Sequence, residues 1–274
     1  MAILELLTKK NFVDHPPFYT VYDYWYNQVV DQLNEVQTAG YIPTTNRGDV
    51  PLVALPNQYY TFFDDFDRSI ASAAVEACWT LVAVGTATAL HIDGVGGILQ
   101  LSGQATTDNS TELIYNQSES FRLVEGKELW YETRVRCPAA DVTNLDLSIG
   151  LMVTEDISAV ADNKPANGIC FIKTDAGVGT IFLNSSDNNT DIVSAASMKT
   201  LVTNTWTRLG FHFDGGATGS GVITPYIDGV ACATLNSITY ATQAEMAPFF
   251  MVRNGDATTT QQLDIDYVHI VQER

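Results

Sequence analysis

Two carboxylates and an imidazole stand close together in Asp264-Ile265-Asp266-Tyr267-Val268-His269. Residues two apart on an extended strand project from one face, so this spacing predicts Asp264 and Asp266 side by side on a sheet. Glycoside hydrolysis uses two acidic groups flanking a sugar bond, one protonating the leaving oxygen and the other acting as base or nucleophile. The competing expectation for the same residues is a solvated outer strand face. Two further oxygen-rich clusters, Asp64, Asp65 and Asp67, and Asp187-Asn188-Asn189-Thr190-Asp191, have the donor type that holds Ca2+. The EF-hand loop pattern is absent, so turn chemistry is the expected role, and no metal site or cofactor is assigned. His15, His91, His212 and His269 are isolated from one another at metal-ligand spacing. No Gly-x-Ser-x-Gly elbow, P-loop or Gly-x-Gly-x-x-Gly follows a strand, which leaves acyl transfer and nucleotide chemistry without apparatus. Arg47-Gly48-Asp49 reads as a simple turn.

Aromatic side chains form the second set of candidates. An exposed indole or phenol ring can stack on the apolar face of a pyranose, and Trp130, Trp206, Tyr226 and Tyr240 are candidate platforms of that kind. Trp79, Trp130 and Trp206 lie in strand-like runs, however, where burial between sheets is the default. A denser aromatic group, Phe18, Tyr19, Tyr22, Tyr24, Trp25 and Tyr26, sits in a leader too short to enclose it. Those rings are expected to pack on something else: a partner chain, or the sandwich of their own chain.

The elements that position these groups change character near residue 60. Trp25, Val29, Leu33 and Val36 recur at helical spacing, which predicts a helix within residues 18–37 that Gly40 ends. Pro43, Pro51 and Pro56 mark an extended connector from residue 41 to 56. Beyond it the period becomes two. Leu129, Tyr131, Thr133, Val135 and Cys137 alternate with Glu132, Arg134 and Arg136. Leu145 to Val153 repeats the pattern, as do Leu209, Phe211 and Phe213 against Arg208, His212 and Asp214. Leu263, Ile265 and Tyr267 alternate with Asp264 and Asp266. Turn signals such as Glu125-Gly126-Lys127, Asp214-Gly215-Gly216, Asp228-Gly229 and Asn254-Gly255-Asp256 separate these runs, and an antiparallel sandwich is expected. The expected organisation is an arm over residues 1–60 and a β-sandwich over 61–274.

Composition narrows the partners. Acidic residues outnumber basic ones 32 to 14, for a formal charge of −18, so nucleic acid is not an expected ligand. The N-terminal apolar run is too short for a signal-peptide core and its lysines follow it, so export is not expected. No run reaches the length of a membrane span. Cys78, Cys137, Cys170 and Cys232 are dispersed singly among apolar residues, which suits buried reduced thiols. Asn-x-Ser/Thr triplets at Asn109, Asn116, Asn184 and Asn188 mark expected polar loops.

Several segments carry a family likeness. Phe63-Asp64-Asp65-Phe66, Gly96 to Leu101, Glu128 to Glu132, Trp206-Thr207-Arg208-Leu209-Gly210-Phe211, Pro225-Tyr226-Ile227-Asp228-Gly229 and Leu263 to Val268 resemble the strand succession of concanavalin A-like, laminin-G-like jelly rolls over residues 61–274. The fold class this implies is all-β: a concanavalin A-like jelly-roll sandwich of two antiparallel sheets, preceded by an N-terminal arm with a short helix. The whole chain resembles capsid decoration or cement proteins of tailed bacteriophages. That likeness implies a non-enzymatic virion protein on the capsid surface, made in the host cytoplasm without a signal peptide. Its arm, through Phe18, Tyr19, Tyr22, Tyr24, Trp25 and Tyr26, would dock on a major capsid protein or on other copies of the chain, as a trimer in preference to a dimer. The alternative is a lectin-like module that binds glycans. Laminarinase-type glucanases of this fold carry Glu-x-Asp-x-x-Glu, where this chain has Asp264, Asp266 and His269 in a segment similar to the closing strand of non-catalytic members. No catalytic residue is therefore assigned.

Overall fold

The computed structural model describes residues 58–67, 79–83, 88–92, 97–103, 110–115, 119–138, 142–153, 164–174, 179–187, 190–194, 197–216, 220–239, 244–255 and 260–274. The expected helix and connector, the six leader aromatics, Arg47-Gly48-Asp49, His15, Cys78, Asn109, Asn116, Asn188 and Tyr240 lie outside them. Alternating side chains and Gly/Asx turns produce strands throughout. They are β1 (Tyr59–Asp64), β2 (Trp79–Ala83), β3 (Thr88–Ile92), β4 (Ile98–Gly103), β5 (Ser110–Tyr115), β6 (Glu128–Arg136), β7 (Leu145–Met152), β8 (Gly168–Lys173) and β9 (Thr180–Asp187). There follow β10 (Thr190–Ser194), β11 (Lys199–Thr200), β12 (Thr207–Asp214), β13 (Ser220–Ile227), β14 (Val230–Ala231), β15 (Leu235–Thr239), β16 (Ala247–Asn254) and β17 (Gln261–Glu273).

They form two antiparallel sheets. The nine-stranded sheet runs β14-β13-β12-β6-β17-β4-β3, with β1 paired to β17 and β15 to β13. The eight-stranded sheet runs β10-β9-β8-β7-β16-β5-β2, with β11 paired to β9. One apolar face of each sheet meets the other. Leu129, Tyr131 and Val135 of β6 and Leu209, Phe211 and Phe213 of β12 join Leu147, Ile149 and Leu151 of β7, Ile169 and Phe171 of β8, and Phe250 and Val252 of β16 in a single core. Tyr131 stacks on Phe211 at 5.0 Å, and Phe171 from the opposite sheet lies 6.3 Å from the same ring. Each such side chain contributes roughly 1.5–3 kcal/mol by leaving water.

Strand β17 departs from its expected alternation. Its pairing with β6 shifts register between Ile265 and Tyr267, leaving Asp266 as an inserted residue. Leu263 and Ile265 face the core before the bulge, and Val268 and Ile270 face it afterwards. Only one extra residue can bring apolar positions three apart onto one face of a strand. Tyr267, expected inward, therefore faces outward beside Asp266.

The cluster at Asp64 serves a turn. Its Oδ1 accepts a 2.9 Å hydrogen bond from the Phe66 amide, and its Oδ2 accepts one of 2.8 Å from Trp79 Nε1. Phe66, at φ 53°, then buries its ring 5.6 Å from Trp79. Gly97 is required opposite it: φ is +80° there, and a Cβ would lie 2.4 Å from the Phe66 carbonyl oxygen. Asn184, expected in a polar loop, is instead buried in β9, where its Nδ2 donates to Ser186 Oγ at 2.6 Å. None of the described cysteines forms a disulfide, with Cys137 and Cys170 buried and Cys232 half-buried. Burial pushes the Cys137 thiol up to about 12, so it stays protonated at neutral pH.

Candidate functional site

The outward face of the nine-stranded sheet carries a row of cross-strand neighbours that spans five strands. Phe63 on β1 stands opposite His269 on β17, His269 opposite Glu132 on β6, Glu132 opposite Gly210 on β12, and Gly210 opposite Tyr226 on β13. Phe63 faces outward because Tyr60 and Phe62, on the alternate positions of β1, pack against the core. Its ring is 56% exposed, and it meets His269 edge-on at 5.6 Å and Tyr267 at 6.2 Å. The Tyr267 hydroxyl donates to Glu132 Oε1, while Arg208 Nη1 lies 3.6 Å from Glu132 Oε2. Gly210 carries no side chain, so the row has a gap between Glu132 and the half-buried Tyr226.

Protonation states follow from the surroundings. Burial, then the Glu132 hydrogen bond and charge, holds the Tyr267 phenol far above its ordinary value, so it remains a donor. Burial lowers the His269 imidazolium, which leaves a neutral ring at pH 7 that can donate and accept. The row thus offers an exposed apolar ring, a neutral imidazole and a carboxylate held by a phenol and a guanidinium.

Next to it lies a network that answers the question raised by Asp264 and Asp266. Arg136 binds Asp264 Oδ2 through Nε at 3.0 Å and Nη2 at 2.5 Å, and Gln100 Nε2 donates to Asp264 Oδ1 at 2.7 Å. Gln262 Nε2 continues the chain to Gln100 Oε1 at 3.0 Å. Arg134 pairs with Asp266 at 2.8 Å. Both guanidiniums lie over the Trp206 ring, at 4.8 Å for Arg134 and 4.6 Å for Arg136. Asp264 has 0% exposure, so it is not on a solvated face as expected. Three donors occupy its oxygens, an arrangement that ties β17 to β6 and β4.

The expected aromatic platforms are placed unevenly. Trp130 projects outward but is only 6% exposed, because His212, its cross-strand partner, stacks on it at 4.9 Å and 8° and Tyr59 lies 6.1 Å away. It is not an open platform. Trp206 is half-buried, with guanidiniums where a sugar would stack. Tyr226 borders the Gly210 gap, and Tyr240 is outside the described residues. Phe63 was not among the expected platforms, although the apolar side chains of Tyr60 and Phe62, three and one positions before it, could have signalled that Phe63 lies on the other face.

The outward face of the eight-stranded sheet is of another kind. Met152, Cys170, Ile172, Phe249 and Met251 form an apolar cluster there, joined by Val82 and Phe182. Asp146 on this face is buried and held by Arg253 at 2.9 Å. Backbone carbonyls converge where Lys173 is buried, and its Nζ occupies the centre, 3.0 Å from Thr143 O, 2.5 Å from Leu145 O and 3.2 Å from Thr174 O. Among the described residues, no three His, Cys, Asp or Glu side chains converge as a metal site would require.

No family model matches the sequence, and no curated protein matches it. Solved structures do resemble the fold. The carbohydrate recognition domain of Emp47p superposes with a TM-score of 0.57 at 13% identity, covering 80% of this chain and 98% of that one. An endo-1,3-β-glucanase from Streptomyces sioyaensis gives 0.54 at 16% identity, with 80% and 98% covered. Peanut lectin gives 0.51 at 10% identity, with 78% and 97% covered. The fold is the concanavalin A-like jelly roll. At these identities the likeness concerns architecture, and jelly rolls of this type include both binding domains and a sugar-cleaving enzyme.

Proposed function

We propose that this jelly roll is a non-catalytic, lectin-like module that binds a neutral glycan along the Phe63-His269-Glu132 row. The observation that carries the reading is the exposed Phe63 ring beside a neutral imidazole and an oriented carboxylate. A pyranose laid on Phe63 would bring hydroxyls to His269 and Glu132, an arrangement of apolar face and polar edge suited to sugars. Three arginines, Arg134, Arg136 and Arg208, are matched by Asp264, Asp266 and Glu132, and the chain's formal charge is −18. Anionic polysaccharides would be repelled, which favours a neutral ligand. The engagement of Asp264 and Asp266 with arginines supports a binding role over hydrolysis.

Nothing in the described sandwich favours the capsid-decoration role expected from the whole-chain likeness or its trimer, and the docking arm at residues 18–26 lies outside the described residues. A glycan array with the full chain is the test. Saturable binding to a neutral oligosaccharide is expected, weakened at least tenfold, or ~1.4 kcal/mol, by Phe63→Ala. Equal binding by the variant, or reducing-sugar release from β-glucans, would overturn the proposal.

A further inference from the structure

The apolar face of the eight-stranded sheet points away from the core, yet Met152, Cys170, Ile172, Phe249 and Met251 are each at most 1% exposed. Val82 and Phe182, the described hydrophobic residues packed on them, belong to the same sheet. Interior-type side chains on an outward face require a cover. Phe182, Ile172, Ser148 and Met251 lie opposite one another in a single row that continues through the Glu112 position of β5 to Val82. From β9 to β2 that row crosses five strand spacings, or about 24 Å. Ser148 and Gly150 are the small residues of this face on β7, paired with Ile172 and Cys170 of β8 and with Met251 and Phe249 of β16. The Ser148 hydroxyl is buried with no hydrogen-bond partner among the described residues.

We propose that residues 18–36 of the same chain seat on this face. Phe18, Tyr22, Trp25, Val29, Leu33 and Val36 recur every three or four residues, an apolar stripe whose helical length would be about 27 Å. That matches the width of the face. Residues 37–57 can extend up to ~70 Å, enough to pass from β1 in one sheet around to the far side of the other, since the sheets pack about 10 Å apart. The leader aromatics expected to dock on a partner would then be an intramolecular cover. This inference is independent of the glycan reading.

Cys170 is a reporter at the centre of the face, and Cys137 in the core reports global opening. In the full chain, Trp25→Asp with Leu33→Asp is expected to raise maleimide labelling of Cys170, mapped by peptide mass spectrometry, at least tenfold without raising that of Cys137. Cys170 remaining protected would overturn the proposal. Should both thiols become reactive together, the decision passes to single variants Tyr22→Cys, Trp25→Cys, Val29→Cys and Leu33→Cys under mild oxidation. An intrachain disulfide to Cys170 in at least one supports the proposal. A disulfide between two chains, or none in all four, overturns it.

Discussion

Asp264→Ala separates an architectural carboxylate from a catalytic one. Asp264 is fully buried, accepts three hydrogen bonds from Arg136 and Gln100, and joins β17 to β6 and β4. Removing one partner of a buried ion pair costs about 3–5 kcal/mol, because the remaining charge stays desolvated. The Arg136 side chain keeps 24% exposure and has the Trp206 ring at 4.6 Å, so the low end, about 3 kcal/mol, applies. For a domain of this size each kcal/mol moves Tm by about 2–4 °C, which gives a fall of ~6–12 °C. Thermal unfolding followed by circular dichroism on Asp264→Ala, Arg136→Met and the pair Asp264→Leu with Arg136→Met measures it. The apolar pair is expected to recover most of the loss, since buried ion pairs are often replaceable by packed hydrophobic residues. Glycan binding should persist in the folded variants. A Tm fall below about 2 °C for Asp264→Ala would refute the energetic argument. Loss of a sugar-cleaving activity at unchanged Tm would restore the catalytic reading.

Two further consequences concern stability. Burial lowers the imidazoliums of His212 and His269, so below about pH 6.5 the unfolded chain binds protons that the folded one resists. Stability should therefore fall as pH drops through that range, and His212→Phe, which keeps a ring on Trp130, should reduce the difference in urea midpoint between pH 7.5 and pH 5; an unchanged difference would contradict this. Lys173→Met withdraws the ammonium shared by three backbone carbonyls and should cost about 3 kcal/mol in urea unfolding, given ~1–3 kcal/mol for each buried polar group losing its partner. A loss under about 1 kcal/mol would mean that the carbonyls find other donors.

Much of the sandwich was legible in the residues themselves. Leu129, Tyr131 and Val135, Leu147 to Leu151, and Leu209 to Phe213 declare their inward faces by period two, and Asp228-Gly229 declares its hairpin through positive φ at both positions. The site was less legible. Alternation read through Leu263 and Ile265 puts Tyr267 inside, and nothing local announces the bulge at Asp266. That insertion becomes visible only when β17 must supply both Ile265 and Val268 to one core against β6. It turns Tyr267 outward, toward Glu132.

What the sequence determined by itself was the class of structure: period-two runs punctuated by Gly and Asx turns, sparse charge, and thiols set singly among apolar residues. These are local properties, expressed within a few residues of where they are written. Tertiary structure alone decided which polar groups meet. Arg136 and Asp264 are 128 residues apart in the chain, Arg134 and Asp266 132, and Tyr267 and Glu132 135. Strand order brings them together, and burial then makes the difference between a carboxylate free to act and one committed to an arginine. Trp130 shows the same division: expected between the sheets, it projects outward instead, and its burial comes from closure by His212, which required β12 to lie beside β6. Strand periodicity is local, whereas pairing and desolvation arise between distant segments, so Phe63 is left exposed while Asp264 is buried.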